Sequence, residues 1–400
     1  MIPYYITFLF SCIFCILGEN SYRKVYANQS VNIGSFNRSN SHLFKIRSFC
    51  LKKPRVYNYH IYFFIAVLLV SILAGLRDYS IGTDIKTYGN DLFYYARNVG
   101  LLQFIHEAKN IEPMYIALVK ISASLSSEPH MLYFLTGLII YGFIMMSFVR
   151  LGRKMPITLS WLGFLMLLYG DTYNAMRQSL AISIGLYAFT YAVEKKYLRA
   201  AVWFAIAFLF HNTAIIMLMT YLIYYILQLN NKWYIKILLI IATILGVVFF
   251  NTILDLLIGR GILDTKMSRY YIAESSGFSV LAILQRLPFL LLIILQRRKF
   301  QAFHNGPYQS LDINESDFYL IALILEMFTV ELSGFVASLY RISLFFIPFR
   351  CMSYARYVGT KTKKDKLLWV GILSLYLLVV FVYQNQIKGN NQIYPYIFGL

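Results

Sequence analysis

PHMLYFLTGLIIYGFIMMSFV, residues 129–149, is the stretch that decides the fold class of this chain. It contains no Asp, Glu, Lys or Arg. Its length is close to the ~20 residues with which an α-helix crosses a bilayer. The stretch therefore predicts a transmembrane helix.

Similar apolar stretches recur at helix length on both sides of this one. They predict an all-α polytopic membrane protein with about 12 transmembrane helices, within a range of about 10–13. Several are shorter than a perpendicular span requires, and the pair around residue 211 could instead form one long or broken helix. The predicted spans are 3–18, 59–76, 129–149, 156–170, 178–193, 200–211, 213–229, 234–251, 278–296, 317–333, 335–353 and 366–383.

The composition excludes a water-soluble fold. Of the 400 residues, 59% are hydrophobic and only 14% are charged, against roughly 25% charged in an average soluble domain. A soluble protein of this size could not cover so much apolar surface with polar side chains. The net charge of +19 would favour nucleic-acid binding in a soluble protein. In this chain the basic residues are instead concentrated in the loops on one side of the membrane, as shown next. We therefore expect no nucleic-acid partner.

The distribution of Lys and Arg predicts the orientation in the membrane. One set of alternate loops holds 25 of the 37 basic residues, and the opposite set holds 10. By the positive-inside rule the more basic set faces the cytoplasm, and both termini face the extracytoplasmic side. The basic set comprises 19–58, 150–155, 194–199, 230–236, 297–316 and 350–366. The opposite set comprises 77–128, 171–177, 252–277 and 384–400.

We expect a single integral membrane domain over residues 1–400, with three prominent loops. Residues 19–58, rich in Ser, Asn and basic residues, are predicted to form a flexible basic cytoplasmic loop. Residues 77–128 and 252–277 are the main extracytoplasmic loops, where recognition is expected. Within the first of these, the apolar segment 112–126 is predicted to form an amphipathic helix along the outer membrane interface.

Common signatures of metal and nucleotide sites are missing from the sequence. No zinc-ligand spacing, Walker loop, GxSxG elbow or dinucleotide fingerprint occurs in a suitable context. Cys12 and Cys15 form a CxxC, but it lies in an apolar run without a second ligand pair. We therefore expect no metal site, no cofactor and no nucleotide-driven transport.

A polar cluster after the second predicted span is the first candidate site. Arg77 is a fixed cation whose planar guanidinium suits phosphate. Gly82, with Thr83 beside it, can allow a tight turn that brings backbone N–H groups near a ligand. Asp84 can orient the arginine or accept a proton from a sugar hydroxyl, and Tyr88 follows it. The alternative is an ordinary polar loop that caps a helix.

Two further clusters lie in later segments. Asn174, Arg177 and Gln178 stand at the outer mouth of the fifth predicted span, and His211 stands with Asn212 in a very apolar stretch. Ionisable residues at membrane depth are costly and usually face a cavity or a partner. Histidine is also the side chain best suited to proton transfer near neutral pH. The alternative for His211 is a hydrogen-bonded turn residue.

Charged residues elsewhere leave two interpretations open. In the predicted outer loop 252–277, Arg269 and Tyr270 could bind a phosphate and stack on a sugar ring next to it. The alternative is that the arginine extends its charge to the membrane surface and that the tyrosine lies at the interface. Two arginines and two glutamates fall within predicted spans. They either pair with one another for structural reasons or line a cavity in which the arginines hold a pyrophosphate. These four are Arg286, Glu326, Glu331 and Arg341.

Several of these motifs together resemble the EpsG family, whose members are Wzy-type polymerases of bacterial exopolysaccharides, capsules and O-antigens. The resemblance covers the chain from about residue 59 onwards. The sequence departs from the family pattern at two places. It contains the insert 19–58, and it has Pro113 where Gly is expected. The motifs are Arg77 with GTD (82–84) and Tyr88, EPMY (112–115), MRQSLAISI (176–184), FHNTA (210–214), the span around Arg341, and IYPYIF (393–398).

The resemblance implies a glycosyltransferase that needs neither metal nor nucleotide. Its substrates would be glycans linked to undecaprenyl pyrophosphate. It would transfer the growing glycan to the next lipid-linked repeat unit on the extracytoplasmic face of the bacterial cytoplasmic (inner) membrane. Besides the lipid bilayer, its partners would be a flippase and a chain-length regulator of the same pathway.

The candidate residues suit this reaction. The departing pyrophosphate gains negative charge in the transition state, so fixed arginines stabilise that state. The attacking sugar hydroxyl needs a base, for which Asp84 and His211 are the catalytic candidates. The candidates for binding pyrophosphate or glycan are Arg77, Gly82, Thr83, Tyr88, Glu112, Arg177, Gln178, Arg269, Tyr270 and Arg341.

Two other function classes stay open on the sequence. A flippase for lipid-linked oligosaccharides predicts broken helices at the midplane and pseudo-symmetric halves, and the sequence contains no evident repeat. An O-antigen ligase-like transferase uses the same donor as a polymerase, so the sequence does not separate the two.

We expect Arg77→Ala and Arg177→Ala each to abolish long-chain polysaccharide while the protein still inserts into the membrane. Each change removes a charge that would hold the diphosphate. Gel electrophoresis of the polysaccharide and immunoblotting of the membrane fraction measure the two quantities. Full-length polymer in both variants, at a normal protein level, would contradict the expectation.

Overall fold

The fold is known here from a computed structural model that describes residues 1–36, 57–82, 85–229, 232–248, 279–302, 308–334 and 338–399. In these ranges the secondary structure is helical, apart from one isolated β-bridge between Arg77 and Phe398. The predicted all-α class is confirmed.

The helices of the described residues are numbered in chain order. They are α1 (Ile2–Phe36), α2 (Asn58–Gly75), α3 (Leu92–Asn98), α4 (Leu101–Glu107), α5 (Pro113–Leu125), α6 (His130–Leu151), α7 (Ile157–Leu167), α8 (Asp171–Asn174), α9 (Met176–Val193), α10 (Tyr197–Phe210), α11 (Ile215–Leu229), α12 (Trp233–Val248), α13 (Val280–Leu284), α14 (Leu287–Leu295), α15 (Arg297–Gln301), α16 (Ile313–Leu332), α17 (Ser338–Ser343), α18 (Ile347–Gly359) and α19 (Lys363–Val382). Short 3₁₀ or π-helical segments occupy Ile85–Asp91, Asn212–Ala214, Tyr383–Ile387 and Asn390–Gln392.

Five helices of the described ranges are long and apolar enough to cross a bilayer, which supports a membrane location. Other apolar helices are shorter: α5, α7 and α10 have 13, 11 and 14 residues. The total of about 12 spans stays a prediction. The five long segments are Ile2–Tyr26, Asn58–Gly75, His130–Leu151, Asn212–Leu229 and Lys363–Ile387.

The first helix extends well beyond the predicted span 3–18. It continues to Phe36, so the first half of the predicted loop 19–58 is helical. Residues 37–56 of that loop lie outside the described residues. The predicted span ends where polar residues begin, because it is defined by apolar residues alone. The helix α1 continues through the polar residues that follow.

Loops of the basic set meet one another at one end of the bundle. The Glu19 carboxylate accepts a hydrogen bond from the backbone N–H of Thr158 at 2.7 Å and one from the Tyr308 hydroxyl at 3.2 Å. The guanidinium of Arg356 donates to the backbone carbonyl of Phe300 at 2.9 Å. Side chains and backbone therefore join three of the predicted cytoplasmic loops and the start of the predicted span 156–170.

Loops of the opposite set meet at the other end, and α6 connects the two ends. His130, the first residue of α6, contacts the carbonyl oxygen of Gly399 through Nε2 at 2.6 Å. Arg150, near the last residue of α6, pairs with Glu194 at 2.6 Å. With 22 residues, α6 is about 33 Å long. Which end faces the cytoplasm stays a prediction.

Two of the predicted spans are broken helices. The span 278–296 divides into α13 and α14 at residues 285–286, and Pro288 stands in the first turn of α14. The described part of the span 335–353 divides into α17 and α18, and Pro348 stands in the first turn of α18. Proline suits the first turn of a helix and cannot continue a preceding one.

Charges within the predicted spans are paired around Glu326. This residue is 0% exposed, and its Oε1 atom lies 2.9 Å from Nε of Arg286 and 2.9 Å from Nη1 of Arg350. The structural interpretation therefore holds for Arg286. Arg350, counted above as a loop residue, is in fact buried. Glu331 accepts a hydrogen bond from the backbone N–H of Ser279 at 3.0 Å.

We expect Glu326→Gln to destabilise the protein by about 3–5 kcal/mol, because it leaves two buried arginines without their carboxylate. Thermal unfolding of the detergent-purified protein measures the change. Glu107→Gln is the control, since Glu107 is exposed. An equal unfolding temperature for the two variants would show that the buried pairing contributes nothing.

Candidate functional site

The carboxylate of Glu112, at the N-terminus of α5, joins two of the candidate side chains. Its Oε2 atom lies 2.5 Å from Nη1 of Arg177, and its Oε1 atom lies 2.5 Å from Nδ1 of His211. The exposed fractions of the three side chains are 10%, 15% and 17% for Glu112, Arg177 and His211. Three residues from separate sequence motifs thus form one group, here called the Glu112 cluster.

Breaks in the helices place these side chains. Pro113 stands in the first turn of α5, and Glu112 before it has an extended backbone with φ −65° and ψ 140°. The helix α10 ends at Phe210, and His211 is extended with φ −164° and ψ 132°. The helix is therefore interrupted at His211, which excludes one long continuous helix. Whether the two parts are two spans or one broken span stays a prediction. Arg177 lies in the first turn of α9.

Neighbouring groups set the charge of Glu112. Burial raises the pKa of its carboxyl, but the hydrogen bond from His211 and the positive charge of Arg177 outweigh burial and lower that pKa to about 2. The stabilisation by these pairs is fully present above the ordinary pKa of a glutamate, and it is lost as the pH falls through about 2. An ionised carboxylate only accepts hydrogen bonds, so Nδ1 of His211 donates. In a neutral ring, Nε2 then carries the lone pair.

An open hollow borders the Glu112 cluster. The Arg177 guanidinium lies 4.0 Å from the centroid of the Tyr88 ring, a cation–π contact that fixes its plane. Gln178 donates a hydrogen bond from Nε2 to the backbone carbonyl of Arg341, which joins α9 to α17. The hollow is lined by Tyr88, Asn174, Ala175, Met176, Arg177, Gln178, His211 and Arg341.

Arg77 lies in a different place and is 2% exposed. Its guanidinium lies 4.4 Å from the centroid of the Tyr133 ring and 4.1 Å from that of Tyr173. Its Nη2 atom lies 3.5 Å from the sulfur of Met176. These residues line a second hollow. Because Met176 borders both hollows, Arg77 stands behind the first hollow and not in its lining.

The C-terminal segment covers the C-terminal end of α2. The backbone N–H of Asp78 donates to the carbonyl of Ile397 at 3.0 Å, next to the bridge between Arg77 and Phe398. The Tyr396 hydroxyl donates to the carbonyl of Leu73 at 2.6 Å. Sequence reasoning missed this arrangement, because residues separated by more than 300 positions give no local pattern. The resemblance of IYPYIF to the family was the available signal.

Gly82 lets its loop approach the start of α9. Its φ of +113° is readily adopted only by glycine. A Cβ atom at this position would lie 2.9 Å from Oδ1 of Asn174 and 3.1 Å from the carbonyl oxygen of Tyr173. The remaining candidates, Thr83, Asp84, Arg269 and Tyr270, lie outside the described residues.

Comparison with known proteins identifies one family. The sequence model of the EpsG family matches residues 60–398 of the chain. The matched range contains the whole Glu112 cluster and the lining of both hollows. No curated protein and no solved structure gives a significant match.

We expect Gly82→Ala to destabilise the protein by about 1–3 kcal/mol, because alanine must adopt an unfavourable φ and its methyl group meets Asn174. Thermal unfolding in detergent measures the loss. Gly100→Ala is the matched control, since its φ is −64° and nothing lies within 4 Å of its Cβ position. Identical unfolding curves for the two variants would count against this account of Gly82.

Proposed function

Since this chain belongs to the EpsG family, we propose that it is a polysaccharide polymerase acting on glycans linked to undecaprenyl pyrophosphate. Family membership supports a polymerase-type role in polysaccharide synthesis, and the apolar helices support a membrane location. The proposed reaction transfers the growing glycan from its lipid carrier to the next lipid-linked repeat unit. It takes place on the extracytoplasmic face of the bacterial cytoplasmic membrane.

The observation that carries this proposal is the Glu112 cluster beside a hollow that contains two arginines. His211 supplies a base, and Arg177 and Arg341 supply fixed positive charge at the same hollow. A transferase that deprotonates a hydroxyl and releases a diphosphate uses these two functions within one site.

In the proposed reaction, His211 accepts the proton of the attacking sugar hydroxyl. The hydroxyl oxygen of the acceptor sugar forms a bond to the anomeric carbon of the donor glycan, while the bond from that carbon to the pyrophosphate oxygen breaks. The proton passes to Nε2 of His211, and the lipid pyrophosphate leaves with the bonding electron pair. The ionised Glu112 holds Nδ1 of the ring and stabilises the imidazolium that forms.

Arg177 and Arg341 stabilise the departing diphosphate. A guanidinium has five N–H donors, and the bond to Glu112 uses Nη1 of Arg177, so further donors serve phosphate oxygens. The Tyr88 ring keeps the guanidinium plane in place. Because negative charge on the diphosphate grows in the transition state, the two cations favour that state over the ground state.

A lipid carrier explains why the site is built on membrane helices. The undecaprenyl chain would stay in the bilayer while the glycan extends from the outer surface. A flippase would deliver each lipid-linked unit to that surface, and a chain-length regulator would act with the polymerase.

The test compares a deletion strain with the same strain carrying this chain or a variant. We expect complementation to restore long-chain polysaccharide, and deletion to leave single repeat units on the lipid carrier at the outer face. With purified protein and isolated lipid-linked units, His211→Ala should slow elongation by roughly 10²–10⁴-fold, because the hydroxyl loses its base.

His106→Ala is the matched control, since His106 is an exposed histidine of the same outer segment as Glu112. Normal elongation by His211→Ala would refute the assigned base. Unchanged long-chain polysaccharide in the deletion strain would refute the polymerase role. Loss of lipid-linked units from the outer face would indicate a flippase.

A further inference from the structure

We propose that Asp171 is a positioning residue that fixes Arg341 in the hollow through a hydrogen bond with Tyr340. This role rests on the proposed function, because it serves the binding of the diphosphate. Neither Asp171 nor Tyr340 lines the hollow, so each acts through its neighbours and not on the substrate.

Asp171 is a buried carboxylate in the short helix α8, directly before α9, and lies in the predicted outer loop 171–177. It is 4% exposed, and its Oδ1 atom accepts a hydrogen bond from the Tyr340 hydroxyl at 2.7 Å. Burial raises the pKa of Asp171 to about 6, against the opposing effect of hydrogen bonds from Tyr340 and Asn391. The C-terminal segment, through Asn391, thus also contacts this carboxylate.

Two hydrogen bonds hold α17 against the start of α9. One joins Tyr340 to Asp171, and the other joins the backbone carbonyl of Arg341 to Gln178. Six residues of α17 are described, and bonds at two adjacent positions among them leave this part of the helix little freedom. Because Arg177 follows in the same segment as Asp171, both arginines of the hollow are held relative to one another.

Buried positive charge also favours a carboxylate at position 171. Arg350 acts on Asp171 and lowers its pKa, and the same arginine shares Glu326 with Arg286. Two arginines with one glutamate leave an excess positive charge, which an ionised Asp171 balances. A neutral side chain would lack this effect.

The hydrogen bond between Asp171 and Tyr340 limits the movement of α17. Arg177 and Arg341 both line one hollow, and both can bind one diphosphate only when their separation is kept. Without its bond to Asp171, α17 would hold Arg341 less firmly in that place. Loss of the bond should therefore weaken substrate binding more than it slows the chemical step.

Tyr340→Phe is the main test, because it removes one hydroxyl and keeps the ring. We expect kcat/KM for the lipid-linked repeat unit to fall roughly ten- to hundredfold, mostly through a higher KM, in an elongation assay with purified protein. Asp171→Leu should act in the same direction. Asp171→Asn keeps an acceptor oxygen and should retain more activity.

A second comparison separates positioning from a general structural role. In an Arg341→Ala background, Tyr340→Phe should cause no further loss, because the group that it positions is already gone. A general structural defect would lower activity again in that background. Tyr197→Phe is the control. Tyr197 is 51% exposed, and it is the first residue of α10, the helix that ends at Phe210 directly before His211.

Normal kinetics of Tyr340→Phe, or a further loss in the Arg341→Ala background, would overturn the role of Asp171. If the unaltered protein does not elongate a repeat unit, the polymerase proposal itself fails, whatever the variants do. If Asp171→Leu does not fold, the kinetics of Tyr340→Phe alone decide whether Asp171 has the proposed positioning role.

Discussion

The half-buried carboxylate of Glu112 is the interaction on which the candidate site depends. A carboxylate in a low-dielectric environment is stable only when cations and hydrogen-bond donors compensate for its lost hydration. Arg177 and His211 provide both, and in return their own orientation is fixed. One contact thus determines which imidazole nitrogen is available and which way a guanidinium faces, before any substrate arrives.

The same rule explains the buried charges elsewhere in the bundle. Arg286 and Arg350 share Glu326, and Arg77 is enclosed by tyrosine rings instead of a carboxylate. An arginine can therefore be accommodated in this protein by ion pairing or by aromatic rings. Among the described arginines, Arg177 has both kinds of support and also lines the first hollow, where Arg341 is its neighbour in the lining.

Fold class could be read from the sequence because a bilayer dictates the length and the composition of single helices. Members of the site were also recognisable one by one, since His211 and Arg177 are polar residues in apolar surroundings. Their pairing was not, because Glu112 and His211 are 99 residues apart. Likewise, composition alone could not show that Arg77 faces tyrosines or that Arg350 is buried. Those facts depend on packing between distant helices.

The C-terminal segment has a consequence for the order in which the protein matures. A ribosome makes residues 390–399 after α2 and α8, yet these residues pair with the backbone around Arg77 and with Asn174. This end of the bundle therefore cannot reach its final shape until residues 390–399 have been made and α19 has inserted. A nascent chain halted before that point would already contain the arginines of the site, but not the C-terminal segment that packs beside them.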